Sequence, residues 1–196
     1  MIGATSLMRR RDDIDVERFR RHWLAVHGPL VLRLPGLRSY AQSHVVAALT
    51  PGARAMAIDG FAELAFDSVA ARAAAYGSAE LAACDRDSPG FIGAVTRLVT
   101  DATVMIPRPV NAELSKLVVL FPPGVAADRA ALEQSQPHGL IWHHVLEQGR
   151  APNSAVPELH CPVAALAEVW VAAGATIAAI GTDLAGVFSV IEHRFG

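Results

Sequence analysis

Apolar and polar residues alternate along several short segments of the chain, and between these lie segments whose apolar residues recur every three or four positions. The first spacing is typical of half-buried strands and the second of amphipathic helices. Residues 2–8 contain no proline and precede a charged run, which predicts a strand. Residues 16–27 have the helical spacing, and Asp15 is placed to cap their first turn.

The predicted first helix is followed by an extended segment. Gly28 and Pro29 are expected to end the helix. After a Pro-Gly turn, Tyr40, Gln42 and His44 alternate with other residues and therefore share one face of a predicted strand. The apolar face of the helix is expected to consist of Val16, Phe19, Trp23 and Val26.

The remaining segments of the first half complete a β-α-β-β-α-β order, and the second half repeats it. A loop is predicted over 51–59, a strand over 60–68, an alanine-rich helix over 69–85 and a strand over 95–107. In the second half we expect strands over 114–121, 139–148, 162–172 and 187–195, with helices over 126–134 and 174–186. This order is that of the ferredoxin-like split βαβ unit.

Two short echoes favour a tandem duplication. Ala62-Glu63-Leu64 returns as Ala167-Glu168-Val169, and Gly36-Leu37 returns as Gly139-Leu140, at nearly equal offsets. A four-stranded sheet with both helices on one side leaves its other face bare, and two such sheets can cover each other. The predicted fold is therefore α+β, with ferredoxin-like units at 1–109 and 110–196 forming one pseudo-symmetric α+β barrel.

Composition narrows the classes of partner. Of the 196 residues, 52% are hydrophobic and 18% charged, and the formal net charge is −2, so no basic face for nucleic acid is expected. No apolar run reaches the ~18 residues that cross a bilayer, and the charges near the N-terminus follow the apolar run, unlike a signal peptide. Cys84 and Cys161 are too few for a disulfide framework. These features predict a cytoplasmic protein without a nucleic-acid or membrane partner.

Common cofactor and metal motifs are missing from the sequence. It contains no GxSxG, GxxxxGK[ST] or GxGxxG. His143 and His144 are neighbours on a predicted strand and point to opposite faces, so they do not suit one metal ion. Histidines could serve as axial haem ligands, but no haem attachment or ligation motif accompanies them. We expect no metal and no cofactor.

The segment "FRRHWLAVHGPL", with "PGLRSY" beyond it, resembles the EthD family of the dimeric α+β barrel superfamily, and the likeness covers residues 1–107. The second half lacks the His-Gly-Pro-Leu signature, so only the first half is expected to hold a full active site. The resemblance implies an α+β barrel, in which the second half of this chain would supply what a homodimer partner supplies elsewhere. Further association into a homodimer, through the apolar helices, is a possible partner interaction. It implies chemistries that include isomerisation, polyketide dehydration or cyclisation, and cofactor-free oxygenation.

Four residues are candidates for catalysis. His27 is the predicted acid or base, although a histidine in a last helical turn can also simply bond a free carbonyl. Tyr40 would stabilise a substrate oxygen, and His44 or Glu63 would accept a proton, if their strand faces turn into the barrel. On solvent-exposed faces, or with Glu63 in a structural ion pair, these residues would be ordinary.

Four further residues are candidates for substrate binding: His22, Trp23, Gln42 and His143. His22 and Trp23 also suit a packing role, and His143 aligns with Tyr40 through the glycine–leucine echo. The function predicted is a cofactor-free enzyme that transfers a proton on a small oxygenated cyclic or polyketide-derived molecule. A non-catalytic small-molecule-binding protein and a cofactor-free monooxygenase are the alternatives.

Overall fold

The computed structural model describes residues 1–109, 113–150, 154–173, 175 and 184–195. Within these residues the strands are β1 Ile2–Arg10, β2 Leu37–Ala48, β3 Gly60–Phe66, β4 Ile92–Ile106, β5 Leu114–Phe121, β6 Gly139–Gly149, β7 Ala165–Ala172 and β8 Gly186–Phe195. The α-helices there are α1 Val16–His22, α2 Gly28–Val31, α3 Pro51–Met56, α4 Val69–Tyr76, α5 Ala79–Asp87 and α6 Arg129–Gln134. None of these helices is long and apolar enough to span a membrane.

The eight strands close into one antiparallel barrel in the order β1-β3-β2-β8-β5-β7-β6-β4. The first four strands in the chain are neighbours in the order β4-β1-β3-β2, and the last four follow the same scheme as β8-β5-β7-β6. Pairing of β2 with β8 and of β4 with β6 joins the two halves. The predicted α+β barrel is therefore confirmed as a closed sheet without free edges.

The two faces of this sheet bury different cores. Inward-facing side chains fill one end of the barrel, among them Leu7, Phe61, Leu98, Leu120, Leu166 and Phe188. Outward-facing side chains of β1, β2 and β3 pack against the helices, among them Met8, Tyr40, Leu64 and Phe66 together with Phe19 and Trp23. Alternation with a period of two separates these sets, since neighbouring strand residues point to opposite faces.

The first helix runs on where the sequence predicted that it would end. After α1 the chain forms a π-helical turn, Trp23–His27, and then α2, in which Pro29 lies in the first turn and needs no N–H partner. The wider turn changes which residue faces the sheet. Val26, expected in the core, is 47% exposed, whereas His27 is 7% exposed. π-turns of this kind are frequent at functional sites.

Two other expectations need correction. The predicted loop over 51–59 contains α3, whose first turn is capped by the Thr50 hydroxyl, a local signal in the sequence that was missed. The predicted helix over 69–85 is two helices, because Gly77 ends α4 and Ser78 caps α5. The helix expected over 174–186 lies largely outside the described residues.

Packing of the first helix on the sheet requires a glycine at position 60. A Cβ there would collide with the six-membered ring of Trp23, whose side chain is fully buried. We expect Gly60→Ala to lower the free energy of unfolding by about 1–3 kcal/mol through overpacking, measured by urea denaturation. Gly90→Ala is the matched control, since a Cβ at Gly90 meets nothing within 4 Å. Equal stabilities of the two variants would contradict this account of the contact.

Candidate functional site

A histidine–aspartate pair lies where the π-turn meets the end of α5. Nδ1 of His27 is 2.8 Å from Oδ2 of Asp87, and Nε2 of His22 is 3.0 Å from Oδ1 of the same carboxylate. The hydrogen bond from His27, with a further one from His22, lowers the pKa of Asp87. Because an ionised carboxylate only accepts, each imidazole donates the N–H that faces it. Both rings also pack against Phe91, with centroids 4.9 Å and 5.0 Å away.

This geometry leaves Nε2 of His27 as the ring nitrogen that can exchange a proton with a ligand. No described residue hydrogen-bonds to this atom, whereas Asp87 fixes the opposite nitrogen and therefore the tautomer. An imidazole oriented by a carboxylate, here the half-buried Asp87, is the arrangement used for general acid–base catalysis. The sequence predicted His27 in this role but missed Asp87.

His27 lines a small helix–sheet cavity between the helices and the outer face of the sheet. Its volume is about 50 Å³, and its walls are mostly apolar, with Met8, Val31, Leu34, Leu64, Leu81, Ile92 and Val95 among them. Cys84 also lines it, and burial raises the pKa of this thiol to about 11, so the thiol is neutral. Burial likewise raises the pKa of Cys161 to about 11. A cavity of this size holds water molecules but not a whole metabolite.

A surface groove of about 570 Å³ adjoins the helix–sheet cavity. Tyr76, Leu81 and Arg97 line both spaces and so form the partition between them. Nη2 of Arg97 donates to Asp85 at 2.9 Å, while Nη1 is buried and has no hydrogen-bond partner among the described residues. The guanidinium therefore keeps one donor for a ligand oxygen.

The polar face of β2 does not point into the barrel, as had been expected, but toward the helices. Gln42 donates to the Tyr40 hydroxyl at 2.8 Å and to the Trp23 carbonyl at 2.9 Å, and Trp23 Nε1 donates to the same hydroxyl at 3.2 Å. The side-chain oxygen of Gln42 accepts from His44 at 2.9 Å, and the His44 ring stacks on Trp23. The sequence correctly predicted that Tyr40, Gln42 and His44 share one face of the strand. The expectation that this face lines the inside of the barrel is wrong.

These contacts give the β2 face a structural role. Burial, His193 and Arg20 lower the pKa of His44 to about 3, so the ring is neutral and a weak base. Burial raises the pKa of Tyr40, opposed by its hydrogen bonds to Gln42 and Trp23. Tyr40 does reach the rim of the barrel, where its ring stacks on Phe195, but its hydroxyl accepts from the helix side.

A separate space, the barrel-mouth cavity, opens at the end of the barrel opposite its apolar core. Its volume is about 550 Å³, and its floor carries a buried ion-pair cluster. Nζ of Lys116 lies 2.6 Å from Glu63, 2.7 Å from Glu168 and 2.8 Å from Glu192. These four residues come from β5, β3, β7 and β8, so that the cluster joins both halves of the chain.

Burial and pairing set different protonation states within the cluster. Burial raises the pKa of Glu63 to about 8, with the Lys116 charge acting in the opposite direction and the Glu168 charge adding to the rise. Burial would also raise the pKa of Glu168, but Lys116 and the His143 hydrogen bond outweigh it and the pKa is lowered. For Lys116 the three carboxylates outweigh burial and raise the pKa, so the ammonium is charged.

His143 extends this cluster across the barrel. Its Nε2 is 2.8 Å from Glu168, and its Nδ1 is 3.1 Å from the Thr100 hydroxyl. Since the carboxylate accepts, Nε2 carries the proton, and in the neutral ring Nδ1 accepts from Thr100. Gly3 makes room for this contact, because a Cβ there would collide with Thr100.

The predicted site residues therefore divide between two spaces rather than lining one. Among the described residues, His27 lines the helix–sheet cavity, while Tyr40, Glu63 and His143 line the barrel-mouth cavity. Four other predicted residues line neither cavity: His22, Trp23, Gln42 and His44. His22 instead hydrogen-bonds to Asp87. The expected alignment of His143 with Tyr40 is also wrong in orientation, since His143 points inward and the Tyr40 hydroxyl outward.

Comparison with known proteins agrees with the resemblance seen in the sequence. Residues 11–94 match the family model of the EthD domain. This segment contains His27, Glu63 and Asp87, but not Lys116, Glu168 or Glu192. A search of curated proteins finds no match.

Several solved structures are similar to this chain. An EthD family protein from Bacillus halodurans C-125 is 22% identical, with a TM-score of 0.44 over 52% of this chain and 97% of its own. An anthrone oxidase-like protein is 8% identical, with a TM-score of 0.62 over 98% of this chain and 92% of its own. A candidate monooxygenase from Lactobacillus acidophilus NCFM is 8% identical, with a TM-score of 0.54 over 97% and 93%. The last two resemble the complete barrel.

Lys116 is the buried cation on which the cluster depends. Its side chain is 2% exposed, and Lys116→Met would leave the buried carboxyl groups of Glu63, Glu168 and Glu192 without their shared cation. We expect the free energy of unfolding to fall by about 3–5 kcal/mol at neutral pH, measured by chemical denaturation. Arg38→Gln breaks an exposed ion pair with Asp67 and is the control, for which little change is expected. If Lys116→Met loses no more free energy of unfolding than Arg38→Gln does, the role assigned to the cluster is contradicted.

Glu63 should make stability depend on pH. In the unfolded chain it ionises near 4.5, but in the fold it keeps its proton up to about pH 8. Ionisation of Glu63 therefore favours the unfolded state. Its stabilising contribution to the free energy of unfolding is complete below pH 4.5 and declines as the pH rises to about 8. The lowered pKa values of Glu168 and Glu192 act below pH 4.5, outside this window.

Glu63→Gln cannot titrate and removes this slope. Relative to the wild type, the variant should become more stable step by step between pH 5 and pH 8, as measured by urea unfolding at several pH values. A stability difference that stays constant across this range would show that Glu63 has no raised pKa.

Proposed function

We propose that the protein is a small-molecule enzyme in which the Asp87–His27 pair moves a proton on an oxygenated cyclic or polyketide-derived substrate. The observation that supports this most directly is the 2.8 Å bond from His27 Nδ1 to Asp87, with the ring placed on the wall of an apolar cavity. His27 acts as the base through Nε2, and the negative charge of Asp87 stabilises the imidazolium that forms.

Arg97 would provide the matching electrophile. Removal of a proton next to a carbonyl puts negative charge on the carbonyl oxygen, and a donor in a dry cavity stabilises that charge strongly. Arg97 lines the same cavity as His27 and has an unpaired Nη1 among the described residues. The sequence had suggested Tyr40 for this role of stabilising a substrate oxygen. The Tyr40 hydroxyl, however, accepts hydrogen bonds from Trp23 and Gln42.

Substrate would reach His27 from the surface groove. The helix–sheet cavity is too small for a ring system as it stands, but the side chains of Tyr76, Leu81 and Arg97 border both it and a groove of about 570 Å³. Movement of Tyr76 and Leu81 would join the two spaces into a pocket of ligand size. A small-molecule substrate, rather than a macromolecule, suits a pocket of this kind.

Oxidation is a second candidate function. Two structures that cover nearly the whole barrel are described as an anthrone oxidase-like protein and a candidate monooxygenase. The same base would form the electron-rich enolate that reacts with dioxygen in a cofactor-free oxidation. The first step is shared, and the fate of the enolate distinguishes the two functions.

We further propose that the barrel arose by tandem duplication of ferredoxin-like units at 1–109 and 110–196. The equivalent strand orders β4-β1-β3-β2 and β8-β5-β7-β6 support this, as does the meeting of the echoed residues Glu63 and Glu168 on one lysine. The second unit would then supply in one chain the sheet that a partner subunit would supply in a homodimer.

Anthrone provides a direct test, since its CH₂ group is acidified by the carbonyl. Under nitrogen in D₂O, the wild type should speed exchange of these protons, followed by NMR. Asp87→Asn and His27→Gln should slow the enzymatic exchange by about 10²- to 10⁴-fold, the usual contribution of a general base. His144→Ala changes an exposed histidine and should leave the rate unchanged.

Oxygen uptake with anthrone in air separates the candidate functions. Exchange without uptake supports proton transfer alone, and uptake that depends on His27 supports oxidation. Ligand-induced stabilisation with neither exchange nor uptake would instead support a binding protein. Activity that survives both Asp87→Asn and His27→Gln would overturn the assignment of the pair.

A further inference from the structure

We propose that the barrel-mouth cavity is a second ligand site, separate from the helix–sheet cavity, and that it binds an organic ammonium ion carried on an apolar ring or chain. The two spaces lie on opposite faces of the same sheet. Leu64 on β3 lines both, but His27 belongs to one and Glu63 to the other. The inference is independent of the proton-transfer function.

The cavity has the size and lining of a ligand site. Its volume of about 550 Å³ lies within the range of small-molecule pockets, ~300–1,000 Å³. Apolar side chains form much of its wall, including Ile2, Val104, Ile141 and Phe195, and the buried acidic groups lie on the floor. A ligand with one charged end and an apolar body matches this division.

The distribution of charge on the floor favours a cation. Arg108 and Arg194 are 34% and 56% exposed in their side chains, and both bind Glu192. Arg38, on the rim, is paired with Asp67. Among the described residues, the lysine or arginine in direct ion-pair contact with Glu63 and Glu168 is Lys116, which they share with Glu192, and Arg194 acts on them through charge without such a contact.

Glu63 is the less compensated of these two carboxyl groups. Glu168 has a second partner in His143, whereas the other partner of Glu63 is the neutral Ser43 hydroxyl, 3.2 Å from each of its oxygens. The raised pKa of Glu63 has the same origin, because a buried carboxyl without enough positive charge keeps its proton. A ligand ammonium beside Glu63 would replace that proton.

A metal ion fits the site less well. One oxygen from each of Glu63, Glu168 and Glu192 lies within 4.8 Å of the others, which resembles a ligand set. However, Lys116 Nζ already lies 2.6–2.8 Å from all three carboxylates and takes the position between them. The remaining room is above the floor, in the apolar part of the cavity, where an organic cation can lie.

The test compares three probes of nearly equal shape by isothermal titration calorimetry at about pH 7: benzylamine, benzyl alcohol and benzoate. Benzylamine should bind at least ten times more tightly than the other two. Its binding should release protons, seen as a dependence of the heat on the ionisation enthalpy of the buffer, because Glu63 ionises beneath the ammonium. The groups facing Glu63 are Lys116, Glu168, Glu192 and Ser43, and Arg194 acts on it through charge.

Glu63→Gln keeps the shape of the protonated carboxyl and should weaken benzylamine binding at least tenfold and abolish the proton release. Asp87→Asn changes the other cavity and should leave benzylamine binding unchanged, which separates this site from the proposed catalytic pair. The proposal is overturned if benzylamine shows no saturable binding or binds no better than benzyl alcohol. It is also overturned if Glu63→Gln binds benzylamine as tightly as the wild type.

Discussion

The ammonium of Lys116 is held inside the barrel by carboxylates from three other strands, and much of the molecule is arranged around it. A buried charge is tolerated only when its partners are close and well oriented. Glu63 on β3 therefore has to meet Glu168 on β7 and Glu192 on β8 around the Lys116 ammonium. This requirement fixes how the two halves of the sheet close on each other. It also divides the interior into an apolar end and an open polar end.

The outer face of the sheet is organised by a different irregularity, the π-turn at Trp23–His27. A regular α-helix would pack only its apolar face against the sheet and then end. The wider turn buries His27 instead of Val26 and brings it to Asp87, whose position is set by the last turn of α5. The network of Tyr40, Gln42 and His44 then clamps the turn from the strand side, through the Trp23 carbonyl and ring. In this way Tyr40 and His44, which were predicted to be catalytic, and Gln42, which was predicted to bind substrate, support the turn that carries His27.

The sequence predicted the strands well, because alternation and turn residues are local signals. The strand predicted over 114–121 has the same bounds as β5. The barrel was predicted because each half would leave one face of its sheet uncovered, and the closed sheet agrees with this. Alternation also showed that Tyr40, Gln42 and His44 share a face, but a period of two says nothing about which face is internal. The helix at 51–56 was missed although Thr50 is a usual cap. Lys116 and Glu192 could not be connected from local pattern, since their contacts join strands far apart in the chain. The echo of Glu63 in Glu168 was the one signal that pointed to the cluster.

Strand β3 has a consequence for how this protein can change over evolution. Its seven residues, Gly60–Phe66, serve both spaces in turn, with Ala62 and Leu64 on the helix side and Glu63 on the barrel side. Inserting or deleting one residue here would exchange the two sets at once, placing a carboxylate under the helices and leucine beside Lys116. Insertions and deletions in this strand are therefore not tolerated. The two pockets can diverge only through substitutions that keep the length of β3. Whatever each pocket binds, they are inherited as a pair.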